Sequence, residues 1–227
     1  MTLKLNGSTS GSVSIDAPAN TNPSGSDVTL TLPVDDGAAN QALTTDGSGN
    51  LSWAANSGDL VKLHTVANTS AQATISHDSF NSSLYSAYHF IGAMKPATDG
   101  AHLYFRWRSS SADLTVSTYD YGQMYTYPND QYYSESDDDK AQMEIMQNAG
   151  NSTREGWRLN LWMYPLTTGT LGNYCTWSGC RLDENNKIRT IEGSGIYDAD
   201  TQPGGFSLYP STGDFAEIRY SVYGLRI

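Results

Sequence analysis

The sequence predicts an all-β chain built in two parts: a short β-hairpin attachment module over residues 1–58 and a jelly-roll-like β-sandwich over residues 59–227. Three observations predict it. Only 16% of the residues are charged and 38% hydrophobic, with Gly, Ser, Thr, Asn and Tyr plentiful; this is the composition of a turn-rich β protein rather than of a helical one. Apolar and polar residues alternate with period two in one segment after another. Those segments are punctuated by Asp-Gly, Gly-Asn and Pro-containing turns, which is the grammar of β-hairpins.

The first part opens with Leu3, Leu5, Val13 and Ile15 alternating with polar residues on either side of a turn from Asn6 to Ser12, a first hairpin. Asn20 to Asp27 is a loop. Val28, Leu30 and Leu32 then alternate with Thr29 and Thr31 until Pro33 stops the run and Asp35-Asp36-Gly37 turns the chain. A short apolar segment around Leu43, a second turn over Asp46 to Asn50 and a small strand from Leu51 to Trp53 follow, and Ala54 to Gly58 reads as a hinge. Each strand carries only a few apolar side chains, and a lone hairpin is marginal in water. Such a module must borrow its core from neighbours, and the nearest suppliers are identical copies of itself.

From Asp59 onward the apolar and aromatic density rises, and a domain of roughly 170 residues is long enough to bury a core of its own. Leu60 to Val66 is its first strand and Ser76 to Leu84 a polar connection. Tyr88 to Met94 is a buried strand stopped by the turn Lys95 to Gly100. In His102 to Arg108, Leu103, Phe105 and Trp107 share one face while Arg106 and Arg108 share the other, which predicts a strand with one wetted side. Tyr119 to Tyr133 is tyrosine-rich, Glu135 to Asp139 is an acidic loop, and Gln142 to Met146 is a strand or one short helix. Trp157 to Tyr164, stopped by Pro165, alternates clearly. Lys187 to Gly193, Gly204 to Tyr209 and Ala216 to Ile227 complete a set of roughly seven or eight strands, most simply a jelly roll.

Composition also excludes function classes. A net charge of −11 disfavours a phosphate-backbone partner, so nucleic-acid binding is set aside. No stretch approaches the ~18 apolar residues of a membrane helix, and Met1 to Asp16 lacks the basic start and apolar middle of a signal peptide. The expectation is a soluble protein made in a cytoplasm, with no membrane insertion. Cys175 and Cys180, in Cys-Thr-Trp-Ser-Gly-Cys, are either two thiols or a small disulfide formed after release from a reducing compartment. His64, His77, His89 and His102 show no metal-ligand spacing.

Taken together, several segments resemble structural proteins of tailed bacteriophages of cyanobacteria and other marine bacteria. DVTLTLPVDDGAANQALTTDGSGNLSWA (Asp27 to Ala54) is similar to a small N-terminal module of fibres and other trimeric virion appendages. YHFIGAMKPATDGAHLYFRW (Tyr88 to Trp107), STYDYGQMY (Ser117 to Tyr125) and FSLYPSTGDFAEIRYSVYGLRI (Phe206 to Ile227) resemble the globular domain that accompanies it. The acidic stretch 135–139 and the Cys175/Cys180 pair depart from the pattern and belong to this chain's own surface loops. The resemblance implies a homotrimer located in the virion, on tail or capsid, joined to other virion proteins through residues 1–58, and it carries no catalytic residue across.

The residues agree with a non-enzymatic reading. Depolymerases use paired carboxylates, and Asp137, Asp138, Asp139, Asp183 and Glu184 are available, but adjacent acids in a polar loop make a solvated tip, and no solenoid repeat, G-x-S-x-G, phosphate loop or HExxH accompanies them. The acidic run lacks the spaced ligands and central glycine of a calcium loop. No cofactor is expected. The recognition candidates are Tyr119, Tyr121, Tyr125, Tyr127, Tyr132 and Tyr133, whose rings would stack on sugars while Asn129, Asp130 and Gln131 take the hydroxyls; the alternative is that half are core and the rest line a subunit interface. Trp177, between the cysteines on an expected loop, is a second exposed-aromatic candidate. The expected function is that of a tail fibre or receptor-binding appendage mediating adhesion to the host surface, to a glycan or other envelope receptor, strengthened by multivalency. A capsid decoration or head-fibre protein is the alternative, and a polysaccharide depolymerase the third reading.

Overall fold

The computed structural model describes residues 3–6, 10–15, 18–22, 24–39, 41–55, 58–109, 111–127, 131–165, 172–183 and 185–227. It is all-β: strands make up 62% of the described residues, and no helix occurs among them, so none is long and apolar enough to cross a membrane. The chain divides into two compact units, Met1–Ser57 and Gly58–Ile227.

The first unit holds two hairpins. Strands β1 (Leu3–Asn6) and β2 (Ser12–Ile15) pair antiparallel with Leu3 opposite Ile15. Strands β3 (Gln41–Thr45) and β4 (Leu51–Ala55) pair with Leu43 opposite Trp53. Asp46 builds the second turn: its Oδ1 accepts from the Ser48 and Asn50 amides at 2.8 and 3.2 Å, and its Oδ2 accepts from Asn50 Nδ2 at 2.7 Å. Gly49 sits at φ +95°, in the left-handed region open to glycine, with the Thr29 carbonyl where a Cβ would stand. The strand expected over Val28 to Leu32 is instead an extended segment joined to the hairpin by a single parallel bridge, Thr31 to Asn50. Its alternation has no partner strand to convert it into a ladder.

The second unit has thirteen strands among the described residues, more than the sequence predicts. They are β5 (Leu60–Asn68), β6 (Ile75–His77), β7 (Tyr85–Pro96), β8 (Ala101–Ser109), β9 (Ala112–Asp113), β10 (Tyr119–Tyr127), β11 (Gln131–Lys140), β12 (Met143–Ala149), β13 (Gly156–Tyr164), β14 (Asn173–Leu182), β15 (Ile188–Tyr197), β16 (Gly205–Pro210) and β17 (Phe215–Arg226). One antiparallel sheet runs β11-β10-β15-β14-β13-β7-β17-β5; the other runs β12-β8-β16-β6, with β9 on β8. The acidic stretch 135–139 lies in strand β11, not in a loop, and the segment after Ile75 begins in strand β6 rather than in a connection. Of Gln142 to Met146, the residues from Met143 onward fall on strand β12.

Both sheets contribute to one core, an arrangement consistent with a β-sandwich. Leu103, Phe105 and Trp107 of β8 are fully buried, as the alternation predicts, and meet Tyr88, Phe90, Trp157, Leu161 and Val222 of the larger sheet together with Phe206 and Leu208 of β16. Phe90 stands edge-on to Phe206 at 5.8 Å across the two layers. Arg106 and Arg108, on the other face of β8, are held by Asp113 and Asp78.

Cys175 and Cys180 both lie on β14 and are free thiols. Five residues of strand separate them by about 16 Å, with opposite facing, where a disulfide needs Cα atoms about 4.4–6.8 Å apart. The disulfide alternative is thereby excluded.

Candidate recognition surface

The four tyrosines of β10 share one face, and their position along the strand divides them. Tyr119 and Tyr121 point into the core, and so does Trp177 on β14, only 3% exposed. The Tyr119 hydroxyl accepts from the Trp107 amide at 3.0 Å and donates to the Leu114 carbonyl at 2.8 Å. Burial pushes both phenols well above their ordinary range, and Tyr121 donates to Asp137 Oδ2 at 3.1 Å. Trp177 faces Gly193 across β14 and β15, and a Cβ on Gly193 would run into the indole. These three aromatics are therefore buried rather than presented to solvent, although Trp177 is also among the residues that line a cleft on the outer face. Trp177 sits in a strand rather than a loop, so its neighbours Cys175 and Gly179 share its inward face.

Tyr125, Tyr127 and Tyr133 form a cluster where the core thins at the β10–β11 end of the sheet. Tyr133 stacks on Tyr125 at 5.5 Å with planes 9° apart, and Tyr127 meets Tyr133 edge-on at 4.9 Å. The Arg189 guanidinium lies 3.4 Å from the Tyr127 ring centroid, a cation–π contact. Buried Asp183 holds that guanidinium, accepting from Nε at 2.7 Å, and also accepts from the Asn185 and Lys187 amides. Tyr132 points to the opposite face and is 79% exposed. Asn129 and Asp130 lie outside the described residues.

The outer face of the eight-stranded sheet brings together a second group that the sequence reading passed over. On β13, Arg158, Asn160 and Trp162 share one parity, opposite to the core residues Trp157, Leu159, Leu161 and Met163. Pairing places Thr176 of β14 on one side of Trp162 and His89 of β7 on the other, with Tyr223 of β17 next to His89. Trp162 stacks on His89 at 4.3 Å with planes 5° apart. His89 Nε2 is hydrogen-bonded to Asn160 Oδ1, and Asn160 Nδ2 donates to Ser178 Oγ at 3.3 Å. The other side of Trp162 borders a cleft of about 240 Å³ lined by Asn160, Thr176, Trp177, Ser178, Glu192 and Gly193. A tryptophan in a run of polar even-numbered positions was the sequence signal for this face.

The acids considered for catalysis are dispersed or already partnered: Asp183 with Arg189, Asp137 with Lys140. Glu184 lies outside the described residues. Among the described residues no group of three or more His, Cys, Asp or Glu is arranged to hold a metal ion.

Comparison with protein-family models, with curated proteins and with solved structures finds no match. The functional reading therefore stands on the residues and their geometry.

Proposed function

We propose that the chain is a non-enzymatic structural protein of a tailed-phage virion, a fibre or receptor-binding appendage whose second unit attaches to a glycan on the host surface. The observation that carries this reading is Trp162. Its ring is held upright by His89, His89 is tied to Asn160, and the opposite ring face borders a cleft of about 240 Å³ offering Thr176, Ser178, Asn160 and Glu192 as hydrogen-bonding groups. One flat apolar surface beside a few convergent polar groups matches the two sides of a sugar ring, and fixing it in advance lowers the ordering cost of binding. The Tyr125–Tyr127–Tyr133 cluster supplies a further aromatic surface on the same unit.

In this reading the chain is a homotrimer whose first unit makes the attachment to the particle and whose second unit is a jelly-roll-like head. What supports self-association is that Val28, Leu30, Leu32 and Val34, four apolar side chains within seven residues, are 59–103% exposed in the single chain, the kind of exposure an interface covers. Weak sites held together in three copies gain avidity without new contacts. Host-cell adsorption tests the proposal: Trp162→Ala should weaken it at least tenfold and Tyr125→Ala with Tyr127→Ala should weaken it further. Wild-type protein that fails to adsorb to its host, or reducing-sugar release from the host polysaccharide, would overturn it.

A further inference from the structure

The chain has thirteen Lys and Arg residues in all against twenty-four Asp and Glu, yet four of the thirteen line one cleft. Lys95, Arg154, Arg158 and Arg219 surround a space of about 270 Å³ on the outer face of the eight-stranded sheet, with Glu155 and Glu217 as the acidic lining groups. Strand register builds it. Arg158 of β13 and Arg219 of β17 both stand opposite Ala93 of β7, so two guanidinium stems flank one small residue. With neighbouring strands about 4.8 Å apart, their backbones are about 10 Å from each other. Lys95, two residues along β7, pairs with Glu217, and Arg154 comes from the turn that leads into β13.

The two acids neutralise this group only in part. Glu155 is buried, and its Oε2 accepts the Ser152 amide at 2.6 Å inside its own turn. Glu217 is paired with Arg219 at 3.1 Å. Among the described residues Lys95, Arg154 and Arg158 make no ion pair with any carboxylate. Four cations against two carboxylates leave the cleft with a net positive charge, and an anion entering from solvent relieves the repulsion among the cations. The remaining acidity of the chain does not prevent this, because exposed charges more than about 8–10 Å away are screened at ordinary salt. Two arginines side by side also offer the planar donor pairs that suit carboxylate, sulfate or phosphate oxygens.

We infer that this cleft binds the anionic substituent of an acidic glycan. The inference rests on the adhesion reading and names its ligand class. Arg158, Asn160 and Trp162 follow one another on the same face of β13, so the basic cleft and the Trp162 platform lie about 13 Å apart along one strand. A short stretch of sugar chain spans both, with a ring against Trp162 and its acid group between Arg158 and Lys95. The net charge of −11 makes general attraction to an anionic surface unfavourable, and this cleft supplies the attraction locally.

Dextran sulfate and dextran share a backbone and differ in charge, and they test the inference on the full chain. Titration at low salt should give binding to dextran sulfate and none to dextran, with affinity falling as salt rises. Arg154→Gly with Arg158→Gln should weaken binding at least tenfold; glycine suits the position of Arg154, whose φ is +74°. Lys62→Ala with Lys187→Ala, two exposed cations elsewhere, should leave it within twofold. Equal losses in the two double variants, or no binding of dextran sulfate at low salt, would overturn the inference. Inorganic phosphate that binds as tightly as the polymer would overturn its sugar component. Should the Arg154/Arg158 variant adsorb to host cells as wild type does while Trp162→Ala does not, the cleft fails and the adhesion reading stands. Should wild type ignore host cells, the adhesion reading fails while the dextran sulfate comparison still decides the cleft.

Discussion

Trp162 and His89 lie flat on each other across β13 and β7, ring centroids 4.3 Å apart, with Asn160 holding the imidazole from the side. The stack orients the indole, so His89 acts on recognition through Trp162. Replacing His89 by Ala should cost about 0.5–1.5 kcal/mol of stability, the usual worth of such a pair. Adsorption should fall as well, although Trp162 remains, because a freed indole must be ordered on binding. Denaturant midpoints and a cell-adsorption assay read the two effects separately. Adsorption unchanged in both His89→Ala and Trp162→Ala would move recognition off this face.

The cysteines make a second case. Cys175 is buried, its Sγ 3.3 Å from Met143 Sδ, and Cys180 faces the other side of the sheet, half-buried. Burial pushes the Cys175 thiol well above its ordinary value, and a thiol kept protonated reacts slowly. A thiol reagent should therefore label one cysteine readily in the native protein and both after unfolding, and a reducing agent should not shift the melting temperature. Cys175→Ser should destabilise by about 1–3 kcal/mol, since it buries a more polar hydroxyl whose nearest side-chain acceptor is the weak thioether of Met143.

Much of the second unit was legible in the sequence, and the failures share a physical cause. Strand β8 was read correctly because one face is fully buried and the other carries arginines, so the period-two signal is strong. Strand β11 was missed because it is an edge strand whose residues Gln131 to Lys140 are almost all exposed; no burial imprints alternation on it, and its backbone bonds to β10 do not depend on side-chain type. The tyrosines were recognised as a group but not sorted, because those on β10 share one parity and differ only in how far along the strand the core covers that face, which no local pattern shows. The role of Trp162 and the gathering of Lys95, Arg158 and Arg219 depend on the register of three strands that are remote in sequence, which no local pattern encodes.

A third prediction concerns pH. His102 Nδ1 lies 3.0 Å from Glu144 Oε1, and the Glu144 hydrogen bond holds the His102 pKa above its ordinary value of 6.5. A histidine pKa raised on folding contributes stability that is fully present below about pH 6.5 and is lost as pH rises through the folded value. Glu135, raised by burial and by the nearby Glu144 charge, works with the same sign at lower pH. His77, lowered by burial and by His64, works in the opposite sense, costing stability on acidification. The His102–Glu144 pair is partly exposed, so its worth is about 0–1 kcal/mol. Urea midpoints at pH 5.5 and pH 8 for wild type and His102→Gln isolate it: the variant should be less stable than wild type at pH 5.5 and close to it at pH 8. An equal gap at both pH values would show that His102 acts by packing alone.

The last prediction falls on the first unit. Thr31 ties its segment to the β3–β4 hairpin by two backbone bonds, its N–H to the Gly49 carbonyl and its carbonyl to the Leu51 N–H, each 2.8 Å. Val28, Leu30, Leu32 and Val34, on either side of that anchor, are 59–103% exposed. Burying one such side chain gains about 1.5–3 kcal/mol, so a row of four per chain is a substantial drive to associate, whereas the hairpins alone are marginal. The full chain should therefore sediment as a multiple of 24.7 kDa, three copies in the proposed assembly. Leu30→Ser with Leu32→Ser should return it to single chains without disturbing the second unit, whose core these residues do not join. Sedimentation velocity gives the mass, and the cooperative melting of the second unit gives the control. Wild-type protein sedimenting as a single chain at micromolar concentration would leave the exposed row unexplained and remove the trimer from the proposal.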